Sequence, residues 1–289
     1  MQYADMIVEF LEYQFLIGNT TKTIKYYSEN LALFSRFLAL HDLDIADVQC
    51  YDNYAKMLLK RRDIKRVTVR TYLRAVRVFL RWCTDKKYID YGYSVNLPKS
   101  HNELILPLSD EEIKTVYETF IDKDILTLRN KCIFSMLLDC GLRMSEVVNL
   151  KCTDVIFNQN MLVVNGKGNK QRYVPFGQKL KEMLLHYDNS VLRDCDMFFV
   201  CKNHSAITQN TIKMVFQRLK KSTSIKRLHA HLLRHTFATR YLLNGGSLPA
   251  LRLLLGHADI NITQVYLHLA EYYNIVHSQS ISTLDMFDI

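Results

Sequence analysis

Residues 66–83 carry two patterns that only an α-helix presents together. Five arginines follow one another at intervals of four, four, three and four residues, so at about 100° per residue they share one arc of roughly 80°. They are Arg66, Arg70, Arg74, Arg77 and Arg81. The neighbouring face is apolar and consists of Val69, Leu73, Val76, Leu80 and Cys83. The sequence predicts a helix that packs on a core through one face and exposes its arginines on the other.

This arginine stripe is the centre of the most basic part of the chain. Residues 56–87 hold twelve basic and two acidic side chains, a net charge of +10, whereas the whole chain carries +9. Like charges at helical spacing repel one another, and no acidic residue is interleaved, so we interpret the stripe as a surface for an anionic partner. A solvated basic face is the alternative. A membrane-surface helix is less favoured, because the apolar face lacks a wide aromatic wedge.

The length and periodicity favour two domains. The chain has 289 residues, and a domain typically takes about 150. Residues 1–96 show helical spacing throughout, with a predicted N-cap in Asn19-Thr20-Thr21. Residues 97–108 contain two of the four prolines and break the pattern, which is typical of a linker. Ser109 and Glu112 then form a capping box that opens a new helix.

The second half combines helices with one short pair of strands. A helix is predicted over 125–139, ending at Gly141. Residues 161–164 and 171–176 read as strands joined by a turn that starts at Asn165-Gly166. Helical patterns resume from Thr208 to Asn274. The predicted fold class is mainly α, with a small β-sheet in the second domain.

The composition excludes several classes of protein. Apolar residues make up 48% of the chain and charged residues 23%, which is typical of a globular protein. No apolar run approaches the ~18 residues that a membrane span needs, and the first residues lack a cationic leader. Seven cysteines without a CxxC pair favour a reducing cytoplasm over disulfides. The nearest approach to a metal cluster is Cys195, Cys201 and His204, a weak one.

Four segments of the second half carry residue types suited to chemistry on a phosphate. They are Gly141-Leu-Arg143-Met-Ser-Glu146, Gly166-Lys167-Gly168, His231-Leu-Leu-Arg234-His235, and Leu255-Gly256-His257 followed by Tyr266. Each is weak alone. Arg143 and Glu146 suit a local ion pair, Lys167 is typical of a solvated turn with Lys170 and Arg172 similar beside it, and Tyr266 suits a core.

In this order and spacing the segments resemble the tyrosine recombinases, the phage-integrase-like family, and within it the Xer-type enzymes. The resemblance covers essentially the whole chain. It implies a C-shaped DNA clamp with a helical, SAM-like core-DNA-binding domain at 1–96, a linker at 97–108, a catalytic domain at 109–274 and a subunit-exchange tail at 275–289. His229, Arg240 and Arg252 add an imidazole and positive charge near the expected site without removing a family position.

The resemblance implies catalytic roles for Arg143, Lys167, His231, Arg234, His257 and Tyr266. Two guanidiniums, from Arg143 and Arg234, suit the oxygens of a phosphodiester, because forked, charge-assisted bonds strengthen as charge builds in the transition state. His257 would be a third donor and Tyr266 the nucleophile. His231 is expected to accept a proton or orient the phosphate, and Lys167, with Lys170 as the alternative, to act as general acid. No cofactor or metal is expected.

The implied activity is site-specific recombination of double-stranded DNA. Strands would be exchanged between two short sites through a 3′-phosphotyrosyl intermediate and a Holliday junction, by a homotetramer, possibly with a related recombinase. The resemblance does not separate integration, excision, resolution and inversion. A type IB topoisomerase-like relaxing enzyme and an inactive DNA-binding module are the alternatives. The expected location is the cytoplasm, at the nucleoid and not at a membrane.

Overall fold

The computed structural model of the chain describes residues 3–90, 97–98, 105–121, 124–166, 171–257, 259 and 261–277. The chain divides into two compact units, Met1–Glu103 and Leu104–Ile289. Each unit has a hydrophobic core of its own. No helix in the described ranges is long and apolar enough to cross a bilayer.

The first unit is helical. Its helices are α1 (Tyr3–Leu16), α2 (Thr21–His41), α3 (Cys50–Lys60) and α4 (Arg66–Asp85). Thr20 caps α2 with its side chain, as predicted, by accepting a hydrogen bond from the backbone of Thr23. Phe10 lies at the centre of the core, where its ring meets those of Tyr27, Phe79 and Trp82 edge to face.

Helix α4 has the two faces that its sequence predicts. All five residues of the predicted apolar face are buried in the core of the first unit. On the neighbouring face four of the arginines, Arg66, Arg74, Arg77 and Arg81, are exposed. Arg70 is half-buried, because its guanidinium donates a hydrogen bond of 2.8 Å to the carbonyl of Pro98. The burial of one face therefore fixes the direction in which the arginines point.

The second unit is mainly helical around a small antiparallel sheet. Its helices are α5 (Asp110–Glu118), α6 (Ile125–Cys140), α7 (Met144–Val148), α8 (Gln178–Ser190), α9 (Gln209–Thr223), α10 (Ala230–Leu243), α11 (Leu248–Leu255) and α12 (Asn261–His277). Its strands are β1 (Val155–Ile156), β2 (Met161–Asn165) and β3 (Gln171–Pro175), in the order β1-β2-β3. The predicted fold class and strand pair are confirmed. The sequence did not predict β1, which is only two residues long.

Helix α10 is the element on which the second unit is assembled. It packs against α6, α9, α11 and α12, and Leu232, Leu233 and Ala238 are fully buried. The buried Thr236 hydroxyl accepts a hydrogen bond of 2.9 Å from the backbone of Leu108, which ties the start of the unit to the same helix. Side chains on α10 are therefore held rigidly.

Gly141 turns the chain between α6 and α7. It ends α6 with a φ of +61°, a left-handed conformation that a side chain disfavours. A Cβ atom at this position would lie 2.3 Å from the Phe237 ring of α10. The turn thus requires glycine twice, for its backbone and for the space that Phe237 fills.

Replacing Gly141 with Ala should destabilise the second unit more than replacing Gly245 with Ala. Gly245 has a φ of +82° but nothing within 4 Å of its would-be Cβ, so its variant bears only the conformational cost of about 1–2 kcal/mol. The Gly141 variant bears this cost and a steric one of about 1–3 kcal/mol. Urea unfolding followed by circular dichroism measures both variants, with the fluorescence of Trp82, the single tryptophan, as a reference for the first unit. Equal midpoints for both variants would contradict the close approach of Phe237.

Candidate active site

Separate elements of the second unit bring five of the six candidate catalytic residues into one cluster. Arg143 is the N-cap of α7, His231 and Arg234 lie on α10, His257 follows α11, and Tyr266 lies on α12. Hydrogen bonds, ring contacts and mutual electrostatic effects connect them. The sixth, Lys167, and its alternative Lys170 lie outside the described residues.

The Arg234 guanidinium is the buried centre of the cluster. It is only 1% exposed and donates 2.7 Å hydrogen bonds to the carbonyls of Gly141 and Leu255. These carbonyls lie at the C-terminal ends of α6 and α11, where the last backbone acceptors and the helix dipole favour a cation. Burial, followed by the charge of Arg143, lowers the pKa of Arg234 to about 10, so the side chain stays charged at neutral pH.

One donor of Arg234 has no partner. Its Nε–H is buried and makes no hydrogen bond within the described part of the chain. A buried donor on a charged group is costly when it is left unpaired. An anionic oxygen that gained access to this nitrogen would satisfy it.

His257 is occupied on both sides of its ring. Its Nε2 lies 2.9 Å from Arg234 Nη2, and its Nδ1 lies 2.9 Å from the Thr263 hydroxyl. Arg234 can only donate, so Nε2 accepts, and Nδ1 carries the proton and donates to Thr263. Burial, followed by the charge of Arg234, lowers the pKa of His257 to about 4, which agrees with this neutral form. In this structure His257 supports Arg234 and does not present a free N–H of its own.

Tyr266 is buried beside these cations. It is 3% exposed and packs with Ala238, Leu251 and Leu255. Its ring stacks on that of His257, with a centroid distance of 6.3 Å and an angle of 14°. Burial raises the pKa of Tyr266, while the charge of Arg234 and a hydrogen bond with it act in the opposite direction without cancelling the rise. The phenol therefore holds its proton at neutral pH, and its use as a nucleophile requires a base.

Two histidines of α10 form a row beside Tyr266, in which His235 lies next to the tyrosine and His231 next to His235. The His235 ring lies 5.2 Å from that of Tyr266 and 4.6 Å from that of His231. Desolvation is the main cause that lowers the pKa of both, to about 4 for His235. His231 is exposed, so a neutral imidazole stands at the opening of the cluster and His235 fills the space behind it.

Arg143 forms the local ion pair that its spacing predicts. Its Nη1 donates to Glu146 Oε1 at 2.9 Å, and its backbone N–H donates to Oε2 at 2.7 Å. The side chain is nevertheless 37% exposed, and its Nε and Nη2 have no hydrogen-bond partner among the described residues. The ion pair and a role toward a ligand are therefore compatible, because the pair uses only one edge of the guanidinium.

The prediction that Arg172 is solvated like the turn lysines is wrong. Its side chain is 10% exposed and donates to both oxygens of Glu146, at 2.9 and 2.8 Å. It lies on the inward face of β3, on the same side of the strand as the buried Val174. Arg143, Arg172, Arg234 and Glu146 are thus three cations and one anion, a net charge of +2 in one partly buried cluster.

The residues beyond the family positions have mostly structural contacts. Arg240 pairs with Asp110 and the Leu108 carbonyl, and Arg252 donates to the carbonyl of His257. The ring of His229 lies against the Arg227 carbonyl. Within the described ranges no group of three or more His, Cys, Asp or Glu side chains is arranged to hold a metal ion.

Three residues of the cluster were not singled out from the sequence: His235, Thr263 and Arg172. The strand alternation contains a signal for Arg172, because it lies two residues from the apolar Val174 and therefore on the same face. Thr263 and His235 gain their positions from the packing of α12 and α11 on α10, which no local pattern reveals.

The comparison with known proteins identifies relatives over most of the chain. Residues 107–272 match the phage integrase family. A protein named tyrosine recombinase XerC from Staphylococcus aureus (strain USA300 / TCH1516) is 32% identical over 257 residues, which cover 86% of this chain and 86% of that protein. XerC from the bovine strain RF122 / ET3-1 matches to the same extent.

Solved structures share the fold. The Tn1549 transposon integrase, in complex with circular intermediate DNA, aligns with a TM-score of 0.76 at 20% identity and covers 92% of this chain and 95% of its own. A lambda integrase dimer bound to a core site gives a TM-score of 0.74 at 16% identity, covering 92% and 77%. The XerH site-specific recombinase, in a post-cleavage complex with difH substrate, gives 0.69 at 22% identity, covering 89% and 79%.

Proposed function

The chain belongs to the phage integrase family, the tyrosine recombinases, and we propose that it exchanges strands between two short double-stranded DNA sites through Tyr266. Each cleavage would join the Tyr266 oxygen to a 3′ phosphate and release a 5′ hydroxyl. The hydroxyl of the partner strand would then attack the phosphotyrosyl bond and restore the tyrosine, first forming a Holliday junction and then resolving it. Because the phosphotyrosyl ester conserves the energy of the phosphodiester bond, rejoining the strands needs no cofactor.

The unpaired donor of Arg234 beside the buried Tyr266 is the observation that carries this proposal. The cluster holds a net charge of +2. A tyrosine that only filled the core would not require positive charge around it. A phosphodiester brings one negative charge and two non-bridging oxygens. Arg234 Nε and the free edge of Arg143 are suited to one oxygen each, by charge-assisted hydrogen bonds that tighten as charge builds on the phosphorane.

The two proton transfers of the reaction are assigned to His231 and Lys167. His231 is neutral at pH 7, since its pKa lies below the ordinary value, so it can accept the phenolic proton. Lys167, which stands between β2 and β3 in the sequence, would protonate the departing 5′ oxygen as the family resemblance implies, with Lys170 as the alternative. His257 holds Arg234 in place. Such acid and base catalysis typically accelerates a reaction by about 10²–10⁴-fold for each proton transfer.

The arginine stripe of α4 is the proposed DNA-binding surface of the first unit. Four of its members are exposed, and the buried apolar face fixes their direction. A phosphate backbone presents one negative charge per ~1.7 Å of duplex and attracts such a row without reading its sequence. Arg70 donates to Pro98 and is less free to contact DNA than Arg74 and Arg77.

The tail at 275–289 is assigned to subunit exchange in a homotetramer. It carries two aspartates and no lysine or arginine, with apolar residues at 281, 284, 286 and 287. A cavity of about 570 Å³ between α5, α6, α8 and α10 suits such a segment from a neighbouring subunit. It is lined by apolar side chains, including Leu138, Met183 and Phe237, which suit the apolar residues of the tail, and by the charged Lys179, Arg240 and Asp139.

Replacing Tyr266 with Phe should abolish covalent protein–DNA adducts, because the ring is kept and only the nucleophilic oxygen is lost. DNA recovered covalently bound to the wild-type protein and sequenced supplies the substrate, and adducts are counted on denaturing gels. Replacing Tyr272 with Phe is the matched control, since it lies on the same helix and is 48% exposed. Adducts from the Tyr266 variant, or supercoil relaxation by the wild type without recombination of two sites, would contradict the proposal.

Replacing Arg74 and Arg77 together with Gln should weaken DNA binding and flatten its salt dependence. The slope of log K against log salt should fall by about 0.9 for each phosphate that an arginine no longer neutralises, or about 1.8 for both. Fluorescence anisotropy at several salt concentrations measures the slope. Lys22→Gln removes an exposed charge elsewhere in the first unit and should change it less. If the double variant keeps the wild-type slope, the stripe is a solvated face.

Replacing Leu284 and Phe287 together with Ser should prevent recombination between two sites and the assembly of four subunits on DNA. Cleavage of a single nicked site should stay within about twofold, since the five clustered candidate residues all come from one subunit and lie outside the tail. Analytical ultracentrifugation with DNA measures assembly. Ser278→Ala is the control in the same tail. Four-subunit complexes of normal stability would show that the tail does not hold them together.

A further inference from the structure

Arg172 uses all three of its guanidinium nitrogens inside the protein. Nη1 and Nη2 donate to the two oxygens of Glu146, and Nε donates to the Leu254 carbonyl at 2.6 Å. The bidentate geometry and the third bond leave the group no freedom to turn. Each nitrogen is engaged inside the protein and the side chain is only 10% exposed, so we expect Arg172 to act on the reaction through the groups that it holds.

The group that Arg172 holds is also the anchor of Arg143. Each oxygen of Glu146 accepts one bond from Arg172 and one from Arg143, where Oε1 serves the Arg143 side chain and Oε2 its backbone. Glu146 has a side chain only 5% exposed. Burial, the largest single cause, would raise its pKa, but the hydrogen bond and charge of Arg172 together with the hydrogen bonds of Arg143 outweigh it, and the pKa of Glu146 is lowered.

The charge of Arg172 decides what field Arg143 exerts. Glu146 and Arg143 alone form a neutral pair, whereas the three side chains together carry +1. In a partly buried site this unit charge is weakly screened. With Arg172 in place, Arg143 therefore faces the opening as an effective cation, although it is tied to a carboxylate.

The backbone near His257 is shaped around Arg172. A Cβ atom at Gly256 would lie 3.2 Å from both Cδ and Nη1 of Arg172, so the turn after α11 comes close only because glycine stands there. The last carbonyls of α11 are shared between two arginines, with Leu254 accepting from Arg172 and Leu255 from Arg234. Arg172 is thus anchored on the frame that also holds Arg234.

We infer that Arg172 is a positioning residue for DNA cleavage, which holds Glu146 and through it orients and charges Arg143 toward the scissile phosphate. The inference rests on the proposed function and adds a residue to it. It assigns the inner face of β3 a role in the reaction, distinct from that of the hairpin lysines.

The test compares cleavage of two DNA substrates by Arg172→Met. Both contain the site recovered with the wild-type protein and a nick beside the cleaved position, and in one of them the scissile phosphate is a methylphosphonate, which carries no negative charge. On the phosphate we expect the single-turnover rate constant to fall about 100-fold, as for loss of one transition-state donor, with the Kd for DNA within about threefold. On the methylphosphonate the loss should shrink to less than about tenfold, because a neutral centre needs less of the cationic field that Arg172 maintains.

Arg193 supplies a matched control for the loss of a buried arginine. Its side chain is 13% exposed, forms an ion pair with Asp188 at 2.8 Å and donates a hydrogen bond to the Phe198 carbonyl at 2.9 Å. Arg193→Met therefore also removes a largely buried arginine with its contacts, and any fall in rate should be the same on both substrates. Arg172→Lys keeps the charge with fewer bonds and should retain more activity than Arg172→Met. If Arg172→Met does not fold, Arg172→Gln, which also removes the charge but keeps a donor for Glu146, is compared on both substrates by the same criterion.

Each outcome decides the inference. A selective loss on the charged phosphate supports it. An equal loss on both substrates, as for Arg193→Met, or a wild-type rate on the phosphate overturns it and leaves the proposed function standing. A wild-type protein that forms no adduct with any DNA overturns both.

Discussion

The candidate site depends on a buried arginine that is held by the ends of two helices. Arg234 is nearly inaccessible, and the carbonyls that end α6 and α11 accept its hydrogen bonds. A guanidinium is hydrated weakly enough to be buried, provided that its donors are satisfied. Two helix termini supply those acceptors without adding a carboxylate, so the positive charge is kept. Gly141 and the turn after α11 are the structural requirements of this arrangement.

The rest of the cluster distributes charge so that a surplus remains. Glu146 is the only carboxylate bonded to its arginines among the described residues, and it is shared by Arg143 and Arg172. His257 is neutral and supports Arg234. A protein that needed these groups for stability alone would gain by pairing each cation with an acid or replacing it by apolar packing. The surplus is understandable if a phosphate completes the site.

The sequence predicted what is local or periodic, and it missed what depends on packing. The two faces of α4, the caps at Thr20 and Ser109, the end of α6 at Gly141 and the β2–β3 pair each follow from a few adjacent residues. The family motifs located five residues that the structure brings together. Arg172 was expected to be solvated like the lysines beside it, and its burial depends on Glu146, a partner 26 residues away in the sequence. The contacts of His257 with Thr263 and Arg234 likewise depend on how α11 and α12 pack on α10.

The central claim is that the Tyr266 oxygen becomes bonded to DNA, and peptide mapping of the trapped complex tests it most directly. Digestion with nuclease and trypsin should leave a nucleotide on the peptide that begins at Leu253, which contains Tyr266, Tyr272 and Tyr273 and no lysine or arginine. Fragmentation in the mass spectrometer distinguishes these tyrosines. The account predicts a nucleotide attached through its 3′ phosphate to Tyr266. A nucleotide on Tyr272 or Tyr273, or on another peptide, would contradict it.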